Sequence, residues 1–156
     1  MKNSFVELNG RQRAFALVDE NSGRELVGPE YDMISPHLEP QNIVPESDDG
    51  VILVKGTLNG KNVVVISIEG KFQGGGIGEV SGAKIVAALE EALDDNKNGK
   101  TIYPIIVLDT GGVRLQEANY GLLSISEIQN AVIALKKYVP VIGLVPGRVG
   151  SFGGMS

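Results

Sequence analysis

Three times along this chain a strand-like apolar run gives way to a glycine-rich turn. Val63-Val64-Val65-Ile66-Ser67-Ile68 leads into Phe72-Gln73-Gly74-Gly75-Gly76-Ile77-Gly78-Glu79. Pro104 to Leu108 leads into Thr110-Gly111-Gly112-Val113-Arg114-Leu115-Gln116-Glu117. Val139 to Val145 leads into Pro146-Gly147-Arg148-Val149-Gly150-Ser151-Phe152-Gly153-Gly154. Helical patterns separate the runs. Glu79 to Asp95 repeats Val86, Leu89 and Leu93 at helical spacing, and Ser124 to Tyr138 places Ile125, Ile128, Val132 and Leu135 on one face. Strand, helix, strand, helix, strand predicts an α/β fold with parallel strands; all three runs read as buried strands, and Val63 to Ile68, apolar almost throughout, as buried on both faces. Ligands in such folds bind at the carboxyl ends of the strands, where all three turns fall.

Upstream, Glu7 to Asn21 reads as an amphipathic helix through Leu8, Phe15 and Val18, broken by Gly28-Pro29. Ile34 to Gly50 carries Pro36, Pro40 and Pro45 with little apolar periodicity, and reads as a docked, extended arm or a linker. Val51 to Val54 is a strand, and Asn59-Gly60 is a hairpin signal that sends the chain back into Val63 to Ile68. Residues 1–50 thus form a helix and arm, and residues 51–156 the α/β unit. Gly153-Gly154 has the character of a turn opening a helix, so the sequence reads as the front part of a longer protein.

Composition removes several function classes. The chain has no cysteine, which excludes a thiol nucleophile, a disulfide scaffold and a cysteine-ligated zinc. The net charge is −5 with no basic block, which argues against a nucleic-acid partner. No apolar run is long enough to span a bilayer, and Met1-Lys2-Asn3-Ser4 opens no signal-like stretch, so the cytoplasm is the expected compartment.

Glycine lets a backbone N–H face a ligand closely. Several such turns on one sheet edge point to amide donors for a developing oxyanion rather than to side-chain catalysis. Gly74-Gly75-Gly76 lacks the dinucleotide spacing, and serves either ligand approach or tight packing. Gly111-Gly112 is followed by the polar set Arg114, Gln116 and Glu117. Its amides can bind a thioester oxygen, while Arg114 either reaches a substrate or pairs locally with Glu117. Gly153-Gly154 would add a complementary amide. Asp109 and Glu117 flank the second turn as acid–base candidates or as caps. Arg148 either contacts an anion or is solvated. His37, the only histidine, has no companion for a Ser–His–Asp mechanism. No metal site is expected.

Phe72-Gln73-Gly74-Gly75-Gly76-Ile77-Gly78, Gly82-Ala83-Lys84 and Gly111-Gly112-Val113-Arg114-Leu115-Gln116-Glu117 together resemble the acyl-CoA carboxyltransferase domains of the crotonase superfamily. Thr110 stands where serine is usual, and Val113 where alanine is usual. Within that family the chain is most similar to the beta subunits of biotin-independent malonate decarboxylases. Ser35-Pro36-His37-Leu38, Gln41-x-Ile43-Val44-Pro45, Asp48-Asp49-Gly50-Val51, Glu79-Val80-Ser81 and Gly150-Ser151-Phe152-Gly153-Gly154-Met155 carry that likeness.

The resemblance implies a crotonase-like spiral of ββα units, incomplete in a truncated chain. It implies a malonyl thioester on an acyl carrier protein with a CoA-derived, phosphopantetheine-type group. A gamma subunit would be the partner in decarboxylation to the acetyl thioester, and a homo-oligomer is possible. Gly111, Gly112, Gly153 and Gly154 would stabilise the enolate oxygen, and Gly74, Gly75, Gly76 and Arg114 would bind substrate. This piece alone is expected to be inactive. The alternatives are a biotin-dependent carboxyltransferase subunit and a non-catalytic assembly module.

Overall fold

The computed structural model describes residues 3–28, 50–147 and 149–155. Most of the proline-containing arm, with His37, and also Arg148 lie outside the described residues.

Helix α1 (Gly10–Ala16) occupies the middle of the expected Glu7–Asn21 helix. Asn9 sets its start: its side chain accepts the Gln12 amide at 2.8 Å while Gln12 reaches back to the Asn9 amide. Strand β1 (Arg24–Leu26) has no sequence signal of its own and pairs antiparallel with β2 (Val51–Leu58). Strand β2 turns at Asn59-Gly60 into β3 (Lys61–Ile68). Both turn residues are left-handed, with φ of 49° and 76°, the geometry that matches strand twist in a two-residue hairpin.

Asp19 holds that turn. Its carboxylate accepts the amides of Asn59 and Gly60, each at 3.0 Å, and the Thr57 hydroxyl at 2.7 Å. These bonds, led by the Gly60 amide, hold the carboxyl below its ordinary range. The resulting stabilisation is present above the unfolded aspartate pKa of about 4 and is lost as pH falls through the lowered folded value. Asp19→Asn is expected to remove this acid-side component, read as a flatter dependence of melting temperature on pH below about 5.

The remaining strands are parallel. After β3 come β4 (Gly76–Ile77), α2 (Glu79–Lys97), β5 (Tyr103–Val107), β6 (Gly112–Val113), α3 (Ala118–Leu135) and β7 (Ile142–Leu144). The main sheet runs β1-β2-β3-β5-β7, and β4 pairs with β6 in a small second sheet. Each unit is therefore a main-sheet strand, a short strand in the second sheet and a helix: β3-β4-α2, then β5-β6-α3. A third short pairing, Thr110 with Ser151, follows β7. This is the ββα pattern of the expected crotonase-like fold.

One sheet face packs under α2 and α3. Leu53, Val64, Ile66 and Ile68 meet Ile85, Leu89, Ile125, Ile128 and Leu135 there. The other face packs Ile52, Val54, Val65, Ile105 and Val107 under Ala14 of α1. Strand β3 is thus buried on both faces, as its apolar run predicts. Each fully buried Ile, Leu or Val contributes about 1.5–3 kcal/mol.

Two elements differ from expectation. Helix α3 begins at Ala118, not Ser124, and runs through Gly121. A Cβ there would sit 2.7 Å from Val113 Cγ1 and 2.8 Å from the Ile77 carbonyl, so glycine marks a close approach rather than a helix break. Strand β7 is three residues long and not buried, with Ile142 39% exposed. It is an edge strand, paired among the described residues with β5 alone. No helix among the described residues is long and apolar enough to cross a membrane.

Candidate active site

The three glycine turns meet at the carboxyl edge of β3, β5 and β7, and Thr110 is where they join. Its side chain is fully buried. The hydroxyl donates to the Gly75 carbonyl and accepts the Gly112 amide. Its backbone N–H donates to the Gly150 carbonyl at 2.8 Å, and its carbonyl accepts the Phe152 amide at 3.2 Å. A serine in this position would keep the hydroxyl.

Gln73, Gly74 and Gly75 are successively left-handed, at φ 47°, 65° and 68°. At Gly75 the approach is closest, since a Cβ would lie 2.1 Å from the Asp109 carbonyl oxygen. Gly112 and Gly153 lie back to back. A Cβ on Gly112 (φ 99°) would come within 3.3 Å of the Phe152 carbonyl oxygen and 3.4 Å of Gly153 Cα. Gly154 rests on α3, where its carbonyl accepts from Gln129 Nε2 at 2.9 Å and Ile125 leaves no space for a Cβ.

The amides are not all directed as the sequence suggests. The Gly111 N–H, expected to face a thioester oxygen, donates to the Gly74 carbonyl at 2.8 Å and clasps the first two turns together. The Gly112 N–H donates to the Thr110 hydroxyl at 3.0 Å, a group that can rotate. Residues Gly153–Met155 form a three-residue 3-10 turn rather than the start of a described helix.

Arg114 is closed into the protein. Its side chain is 7% exposed and donates to Glu117 Oε1 at 3.0 Å and to the Gly76 carbonyl at 3.1 Å. Its guanidinium also lies over the Phe72 ring, 5.9 Å from the centroid. Glu117, fully buried, accepts the backbone N–H of Glu79, the first residue of α2. A carboxylate there complements the positive end of a 19-residue helix. Of the two sequence readings, local pairing for Arg114 and capping for Glu117 match this geometry. The α2–α3 crossing is equally tight: a Cβ on Gly82 would be 2.3 Å from Ser124 Cβ. Glu117→Gln keeps the shape and removes the charge, and is expected to cost about 2 kcal/mol in a denaturant melt.

Asp109 shows a similar closure. Its Oδ2 accepts Arg13 Nη1 at 2.8 Å, with both side chains at least nine-tenths buried, and its Oδ1 accepts the Val149 amide at 3.0 Å. Sequence reading missed Arg13, whose one signal is a charged residue inside a short apolar-faced helix. It also missed the packing of Lys84, which is buried and donates to the Val51 carbonyl at 2.6 Å. Among the described residues, no group of three or more His, Cys, Asp or Glu is placed to hold a metal ion.

Residues 11–155 match the family model of the carboxyl transferase domain. The chain is 42% identical to the malonyl-S-ACP:biotin-protein carboxyltransferase MADC of Malonomonas rubra, covering 97% of this chain and 51% of that protein. Its structure is similar to a chain of a Pseudomonas malonate decarboxylase hetero-tetramer in complex with malonate, with a TM-score of 0.94 and 55% identity over 98% of this chain and 55% of that one. A chain of the transcarboxylase 12S hexamer is similar at a TM-score of 0.75 and 27% identity, over 89% of this chain and 25% of that one. The chain thus spans about half the length of the curated relative it matches. The ββα architecture, the glycine edge and the match over nearly all of the sequence agree: this chain belongs to the carboxyl transferase domain family.

Proposed function

We propose that this chain is the front part of a subunit that removes carbon dioxide from a malonyl thioester. The back-to-back approach of Gly112 and Gly153 carries the reading, because it brings two glycine turns from separate ββα units together, the buried Gly112 against the exposed Gly153. Cleavage of the bond to the carboxylate leaves an electron pair on the α-carbon, shared with the thioester oxygen. Protonation of that carbon then yields the acetyl thioester. Amides of Gly112, Gly153 and Gly154 stabilise the enolate oxygen, with the Thr110 hydroxyl yielding the Gly112 N–H to it. Gly74, Gly75, Gly76 and Gly111 shape the floor, and Arg114 holds that floor through Gly76 and Glu117. The apolar side chains exposed in the flanking segments, Leu115, Leu122 and Phe152, suit the uncharged arm of a phosphopantetheine-type thioester on an acyl carrier protein. A second subunit of gamma type completes the site, and the reaction takes place in the cytoplasm.

A second reading has the carboxyl group pass to biotin. The biotin-protein acceptor in the name of the Malonomonas relative favours it. The full-length subunit, assembled with its partner, separates the two when given malonyl thioester with and without avidin. Acetyl thioester formed at equal rates supports direct decarboxylation. Loss of turnover with avidin supports transfer to biotin. No acetyl thioester in either case refutes both.

A further inference from the structure

We infer that Arg13 and Asp109 form a positioning pair that sets the glycine edge, an inference that rests on the function proposed above. Asp109 directly precedes Thr110, the residue that joins the three turns. Its carboxylate binds Arg13 of α1 through one oxygen and the Val149 amide, in the loop carrying Gly153 and Gly154, through the other. Arg13 is anchored in turn, donating from Nε and Nη2 to the carbonyls of Phe5 and Val6. The carboxylate fills its niche completely. A Cβ on Gly70 would lie 2.5 Å from Asp109 Cγ, and one on Gly147 would lie 1.9 Å from it.

Four segments therefore close on one buried anion: α1, the turn after β3, the end of β5 and the loop after β7. The Val149 bond stands immediately before the Thr110–Gly150 and Thr110–Phe152 bonds that register the third turn against the second. Displacing that loop by about 1 Å separates Gly112 from Gly153, and misplacement of that size costs on the order of 10²-fold in rate. Arg13 and Asp109 need not touch substrate. They fix the backbone that does.

The test separates position from stability. A buried ion pair replaced by apolar side chains of similar volume often keeps or raises stability. The double variant Arg13→Met with Asp109→Leu restores packing but supplies no acceptor for the Val149 amide. In the full-length subunit with its partner, we expect melting nearer the parent's than that of Asp109→Ala, kcat on malonyl thioester lowered about 10²-fold and KM changed less than about threefold. Amide hydrogen exchange should quicken in residues 147–154 and stay unchanged in β3 and β5. Recovery of kcat together with stability, or unchanged exchange in 147–154, overturns the inference. A parent complex that does not turn over malonyl thioester defeats the functional reading instead, and the exchange pattern still decides whether the pair positions the loop.

Discussion

Gly112→Val in the assembled subunit is expected to lower the rate of acetyl thioester formation by about 10²–10³-fold, the usual effect of losing one oxyanion donor. Two effects combine at this position. The φ of 99° is strained for a β-branched residue. The new Cβ would also press on the Phe152 carbonyl oxygen at 3.3 Å and on Gly153 Cα at 3.4 Å, forcing apart the two turns that must act together. Gly112→Ala meets the same contacts with a smaller side chain and is expected to fall between parent and valine variant. Rates are to be compared beside thermal melts. Turnover that survives with the fold intact would remove the oxyanion role from this edge, leaving the assembly-module reading.

The second large effect is on stability. Asp109→Ala is expected to cost about 3–5 kcal/mol in chemical denaturation, because it leaves the buried Arg13 guanidinium without its anion and the Val149 amide without its acceptor. The Arg13 side chain is only 4% exposed, so water cannot substitute. A loss under about 1 kcal/mol would mean that the niche relaxes and admits solvent. The contrast with the paired apolar replacement is the informative comparison: removing one partner leaves a buried charge unpaired, whereas removing both leaves no charge and costs less.

Much of the architecture was legible because it depends on neighbours in sequence. The run Val63–Ile68, apolar but for Ser67, predicts a strand covered on both faces, and β3 is one. Asn59-Gly60 predicts a two-residue hairpin, since few other dipeptides adopt two left-handed conformations cheaply. Helix α2 runs from Glu79, as read, to Lys97, two residues beyond the expected Asp95. Where reading fell short, a partner distant in sequence made the decision. Strands β4 and β6 are two residues each, too short for any period to register, and exist because they pair with one another. Helix α3 starts six residues ahead of the expected Ser124, and Gly121 within that added stretch packs against Val113. Strand β7 carries Ile142 and Leu144 but, shorter than β5 and paired among the described residues with β5 alone, it stays exposed.

The candidate site divides along the same line. The sequence by itself determined the glycine positions, the strand–helix alternation that places them on one edge, and the motifs that mark the carboxyl transferase family. Backbone freedom and hydrophobic period are local properties, and they are written residue by residue. Only the tertiary structure decided which amides are occupied, that Arg114 closes on Glu117 and Gly76, and that Arg13 of α1 reaches Asp109 just past the end of β5. Hydrogen bonds and ion pairs form at about 3 Å between groups that the chain brings together from far apart. A periodic pattern says which face a residue lies on, and nothing in it says what will stand opposite.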